Sequence, residues 1–120
     1  MGELRKLEKA VNKYEEMLLK NQEEAKRNKE IYINDVKMLV DFIEEYIEDI
    51  SNKLQIWCDV SVSVFDQSTN NIFLKTKRAI DMKIVNHYLN KFSKMMSKAG
   101  LLQRRLEKIQ KRFEQYKCFC

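Results

Sequence analysis

The chain has 120 residues, room for one domain; 34% of them are charged, proline is absent, and glycine stands only at Gly2 and Gly100. That composition suits long helices without interruptions, and two isolated glycines cannot build a Gly-rich phosphate loop. The formal charge is +5, and no apolar run approaches the roughly 20 residues of a membrane-spanning helix.

The start, Met1-Gly2-Glu3-Leu4-Arg5-Lys6, has neither a signal-peptide core nor the Ser/Thr that a myristoylation signal carries at position six. Cys58, Cys118 and Cys120 form neither an even disulfide set nor a paired metal-binding spacing, and no Asn-X-Ser/Thr sequon is present. An intracellular chain, cytoplasmic or nuclear, is expected. The ending Cys118-Phe119-Cys120 resembles the doubly prenylated tails of Rab-type small GTPases, which would imply a lipid anchor, but no GTPase motif accompanies it. Two ordinary thiols are the preferred reading.

Leu4, Leu7, Val11, Tyr14 and Leu18 follow one another at alternating steps of three and four, which predicts an amphipathic helix at the start of residues 1–29. Its stripe then fades, because Ala25 is the only apolar residue from Lys20 to Glu30. Either Asn21 and Asn28 occupy core positions of a coiled coil and fix its register, or this stretch is a solvated helix. The solvated helix is preferred.

Residues 30–57 are predicted as a strongly apolar helix: Val36, Leu39, Val40, Ile43, Ile47, Ile50 and Leu54 lie at helical spacing. Phe42 and Tyr46 widen the face beyond a two-stranded seam, so this helix should touch more than one neighbour. Trp57, near its end, reads as a packing anchor or an interface hot spot, with core packing preferred. Residues 58–77 break the pattern, with Val60, Val62 and Val64 alternating at period two and a polar cluster from Asp66 to Asn71. This reads as a β-hairpin, or as a helix end, loop and helix start; the loop is slightly preferred.

The last helix is predicted over 78–117. Val85, Tyr88, Phe92, Met95, Ala99, Leu102, Leu106, Ile109, Phe113 and Tyr116 form an unbroken heptad seam along it, and such a stripe requires a helical partner. Gly100 lies inside this helix as a bend or a close approach by another backbone. Net charge is −3 over residues 1–57, −2 over 58–74 and +10 over 75–120, so the basic character belongs to the last third. If the chain reverses near Asp66 to Asn71, Glu44, Glu45 and Glu48 come near Lys91, Leu102 comes opposite Tyr32 or Ile33, and Ile109 comes opposite Ala25. About 15 N-terminal residues would then have no partner within the chain.

Catalytic chemistry is not legible. His87 is the single histidine, and Ile84 three residues before it excludes a Glu-X-X-His di-iron pattern. Glu44, Glu45, Glu48 and Asp49 read as a solvated face. No metal or cofactor is expected, and the chain is read as a non-enzyme.

The fold class is therefore all-α: an elongated antiparallel helical hairpin or a three-helix coiled-coil bundle, with a short β-hairpin at 58–77 as the variant. The expected function is a non-catalytic coiled-coil interaction module, a subunit or segment of a multiprotein scaffold. It would bind protein partners through Leu4, Leu7, Val11, Tyr14 and Leu18 and form homo- or hetero-oligomers, with Val85, Tyr88, Phe92, Met95, Leu102, Leu106, Ile109 and Phe113 as its packing seam. One alternative is a holdase chaperone, because a helix, central hairpin and helix of this length resembles the β-type prefoldin subunit in layout. Another is a basic adaptor that contacts nucleic acid or an acidic membrane surface through Arg104, Arg105, Lys108, Lys111 and Arg112.

Overall fold

The computed structural model describes residues 2–65 and 72–117. Four helices are described, α1 (Gly2–Lys20), α2 (Gln22–Arg27), α3 (Lys29–Phe65) and α4 (Ile72–Lys117), and no strand occurs among the described residues. The fold is all-α. No described helix is long and apolar enough to cross a membrane.

Within residues 58–77 the described part follows the reading as a helix end and a helix start, with both helices longer than expected, and no strand is found there. Residues 58–65 are the last turns of α3, and α4 begins at Ile72 instead of near residue 78; 66–71, the core of the expected turn, lie outside the described residues, as do Cys118 and Cys120. The period-two pattern fails because the helical one fits better: Val64 is buried and continues the stripe of Ile50, Leu54 and Trp57, whereas Val62 is 60% exposed. The layout resemblance to β-type prefoldin rested on that hairpin.

The polar stretch after α1 is neither a buried-Asn coiled coil nor a plain solvated helix. It is where the chain reverses. Asn21 (φ −138°, ψ 58°) and Asn28 (φ −109°, ψ 22°) leave helical geometry on either side of α2, and Asn tolerates such departures because its amide can bond locally. The Asn21 amide donates to Glu24 Oε2 at 2.7 Å and the Asn28 amide to the Glu24 carbonyl at 3.4 Å. Backbone bonds such as Asn21 N–H to the Met17 carbonyl and Tyr32 N–H to the Asn28 carbonyl carry the chain through both corners. Ala25, the only apolar residue there, is fully buried.

Helix α1 consequently returns antiparallel to α3, with the Tyr14 hydroxyl donating to Asp35 Oδ2 at 3.0 Å. The chain forms two compact units: unit 1 is Met1–Ile47 with Lys98–Cys120, and unit 2 is Glu48–Ser97. In unit 1, Leu4, Leu7, Val11, Tyr14 and Leu18 of α1 share one buried cluster with Ile33, Val36 and Ile43 of α3 and Ala99, Leu102, Leu106, Ile109 and Phe113 of α4. At about 1.5–3 kcal/mol for each large side chain, this cluster dominates the stability of the unit. In unit 2, α3 and α4 alone pack on each other through buried Ile50, Val64 and Val85, with the Trp57 and Tyr88 rings stacked at 4.5 Å.

The α3–α4 register also differs from expectation. Tyr32 meets Phe113 with ring centroids 5.9 Å apart, and Lys29 Nζ donates to the Tyr116 carbonyl, so the partner of Tyr32 lies about three turns beyond Leu102 along α4. The expected register followed from a reversal centred on Asp66 to Asn71, and it is offset from the observed one, in which the aromatic contacts of Tyr14, Tyr32 and Phe113 fix the pairing; exposed charge pairs at ~0–1 kcal/mol each are too weak to oppose them. Gly100 marks no close approach, since a Cβ built there meets nothing within 4 Å.

Candidate functional site

The five residues expected to bind a partner, Leu4, Leu7, Val11, Tyr14 and Leu18, are all buried within the chain itself. Their stripe did need a helical partner, and the reversal at Asn21 and Asn28 supplies α3 and α4 as that partner. Little of their own surface is left open, although Leu18 forms part of the floor of a cleft.

Charged residues edge this packing. Lys98 pairs with Glu8 at 3.2 Å, and seven residues on, Arg105 grips Glu15 with Nε to Oε2 at 3.0 Å and Nη2 to Oε1 at 2.6 Å. Arg105 also donates to Asn12 Oδ1. The matching seven-residue steps on α1 and α4 show that these helices run parallel. The hydrogen bond from Arg105 holds the Glu15 carboxyl below the usual carboxylate range, and the same bond raises the guanidinium further. Of the five residues assigned to anion contact, Arg105 is thus committed internally, whereas Arg104, Lys108, Lys111 and Arg112 are exposed. Lys108 and Arg112 rim a cleft of about 270 Å³ floored by Leu18 and Ile109.

Tyr14 is the most perturbed titratable group, pushed up to about 12 by burial first and then by its bond to Asp35. Tyr32, whose hydroxyl donates to Glu24 Oε1 at 2.9 Å, is raised mainly by that bond. Both phenols donate to carboxylates of the same chain. His87 is exposed and lies edge-on to the Tyr88 ring at 5.3 Å, and no group of three His, Cys, Asp or Glu among the described residues is arranged to hold a metal ion.

The seam residues of α4 divide by unit. Leu102, Leu106, Ile109 and Phe113 are buried in unit 1; in unit 2 Val85 is buried, but Tyr88, Phe92 and Met95 are only half-buried. Unit 2 also exposes Val62, Ile56, Ile80, Ile84 and, less, Val60, and of these Ile56, Val60, Ile80 and Ile84 share a spacing. These four residues were missed as a surface. A signal existed: Ile56 and Val60, and Ile80 and Ile84, are pairs four apart that sit one residue before the seam, which widens the stripe beyond what two helices can cover. No protein-family model, curated protein or solved structure matches this chain.

Proposed function

We propose that this chain is a non-catalytic helical interaction module, a subunit or segment of a multiprotein scaffold. Unit 1 serves as a self-closed three-helix coiled-coil bundle and unit 2 as an open helical hairpin that receives a protein partner. The observation that supports this reading is the grouping of exposed apolar side chains in unit 2, where Ile56, Ile80 and Ile84 stand about half exposed and, with Val60, form pairs four residues apart; exposed residues such as Ile31 occur in unit 1 as well, but among the described residues not in such pairs on both α3 and α4. Exposed apolar side chains grouped on one element mark interaction surfaces in soluble proteins. The binding residues are therefore Ile56, Val60, Ile80 and Ile84 instead of the α1 stripe. Affinity capture with the wild-type chain and with an Ile56→Asp/Ile84→Asp variant tests this. A protein retained by the first and lost from the second, with far-UV spectra unchanged, is the expected result; identical sets of retained proteins would contradict it.

A second reading, a basic adaptor, draws on the exposed Arg104, Lys108, Lys111 and Arg112 at the end of α4. Cations on consecutive turns of one helix suit contact with phosphates and would make binding salt-dependent. Reversing Arg104 and Lys108 to Glu should abolish retention on a polyanion column, and retention unchanged by that reversal would remove this reading.

A further inference from the structure

The open face of unit 2 carries a charge pattern that specifies its occupant. Helices α3 and α4 are antiparallel there, with Trp57 against Tyr88 and Lys53 Nζ over the Phe92 ring. An antiparallel pair has a local two-fold axis perpendicular to the plane of the two helices, which exchanges the helices but keeps each face of the pair on its own side. Residues that precede the seam on α3 therefore share a face with those that precede it on α4. On α3 these are Ile56 and Val60, just before the half-buried Trp57 and Ser61 that continue its inward stripe; on α4 they are Ile80 and Ile84, just before half-buried Asp81, one turn ahead of the seam, and buried Val85.

The same positions bear charge at both ends of the apolar centre. Lys77 lies one turn from Ile80, and Lys91 and Lys94 lie beyond Ile84; all three are exposed. Lys53 on the α3 side is already paired with Asp49 at 3.1 Å. Asp49, before Ile50, and His87, before Tyr88, share the face by the same rule, so it is an apolar strip whose unpaired rim is basic. Unit 1 contains an example of what such a face accepts. There the α4 residues that precede the seam, Lys98 and Arg105 before Ala99 and Leu106, meet Glu8 and Glu15 at the edge of the α1 stripe. Lys77, Ile84 and Lys91 continue that same seven-residue spacing in α4.

We infer that the unit 2 face binds an amphipathic α-helix of another polypeptide whose apolar stripe is flanked by carboxylates at heptad spacing. This deepens the proposed function and rests on it. Burial of Ile56, Val60, Ile80 and Ile84 supplies the affinity, and pairing of the flanking carboxylates with Lys77, Lys91 and Lys94 selects the sign of the partner.

The test uses the full chain and two synthetic probes of three heptads, about 31 Å long as helices, with leucine at both core positions and either glutamate or lysine flanking them. Fluorescence anisotropy of labelled peptide reads binding. The glutamate probe is expected to bind and the lysine probe to fail. Ile84→Asp should abolish binding, and Lys77→Glu with Lys91→Glu should weaken it about tenfold while leaving the exposed apolar strip intact. All substituted side chains are exposed, and far-UV spectra of the variants check that they fold. Equal binding of the two probes would overturn the acidic partner while the docking face survives. Self-association of the chain, broken by Ile84→Asp and not relieved by the glutamate probe, would assign the face to a second copy and likewise overturn it. If neither probe binds and the chain does not self-associate, the docking face and the proposed function fail together.

Discussion

Phe113 reports on whether α1 really covers the α3–α4 pair. Its ring is fully buried and sits against Tyr14 at 6.2 Å, Tyr32 at 5.9 Å and Tyr116 at 6.3 Å, so one side chain contacts three helical segments. Truncating such a phenylalanine to alanine costs about 3–5 kcal/mol, and the aromatic pairs place Phe113→Ala in the upper half of that range. Against a total of roughly 5–15 kcal/mol for a chain of this size, the loss is large. Phe92 is the internal control. It belongs to unit 2, is half-buried and stacks on Tyr88 at 6.2 Å, so Phe92→Ala should cost only about 1–2 kcal/mol. Urea denaturation followed by far-UV circular dichroism measures both, with the denaturant slope confirming that the same transition is compared. A Phe113→Ala loss no greater than that of Phe92→Ala would mean that Phe113 lacks its α1 cover, and the packing of unit 1 described above would be refuted.

Three further outcomes follow from the same contacts. Tyr14 holds its proton to about pH 12 in the folded chain against an ordinary value of 10.0; because the folded pKa is the higher one, its contribution is complete below pH 10 and is lost as pH rises from about 10 to 12. Phenolate absorbance titration should show a late step that Tyr14→Phe removes, and an unchanged titration would deny the burial of Tyr14 and its bond to Asp35. Gly100→Ala should raise stability by about 0.5–1 kcal/mol, since a Cβ meets nothing within 4 Å and the backbone is helical; destabilisation on thermal melting would reveal a crowded site. For the Arg105–Glu15 pair, partly exposed on both sides, each single charge reversal should cost up to about 1 kcal/mol and the exchange Glu15→Arg/Arg105→Glu should recover part of it. Additive losses in this double-mutant cycle would show that the pair is not coupled.

The helical class and the seams were readable because period-3.6 patterning is long and repeated here: the α1 stripe and the α4 seam from Leu102 to Phe113 pack as their spacing implies. What the stripes packed against was not readable. A heptad stripe states that a helix needs a partner but not whether that partner lies in the same chain, and the answer turned on Asn21 and Asn28. As single polar residues in a polar run they looked like solvated helix; their effect is a change of backbone direction that hydrophobic periodicity does not encode. The α3–α4 register was lost for a related reason, since it was inferred from the place of the polar cluster Asp66 to Asn71, whereas the deciding Tyr14–Tyr32–Phe113 cluster draws on three distant segments. At 58–65 two periods coincided, and the side chain that distinguishes them, Val62, is legible only once its exposure is known. The exposed residues Ile56, Val60, Ile80 and Ile84 were hidden behind the same ambiguity, because their spacing alone does not encode their exposure.

Amide hydrogen exchange on the full chain at monomeric concentration tests most directly whether the N-terminal stripe is closed within its own molecule. With α1 docked on α3 and α4, the amides of residues 6–18 should be protected to a degree comparable with those of 102–113, and independently of protein concentration. Exchange of residues 6–18 at the rate of an unstructured peptide, with protection gained only when another chain is added, would show that the stripe waits for an outside partner and would contradict the architecture on which the proposed function depends.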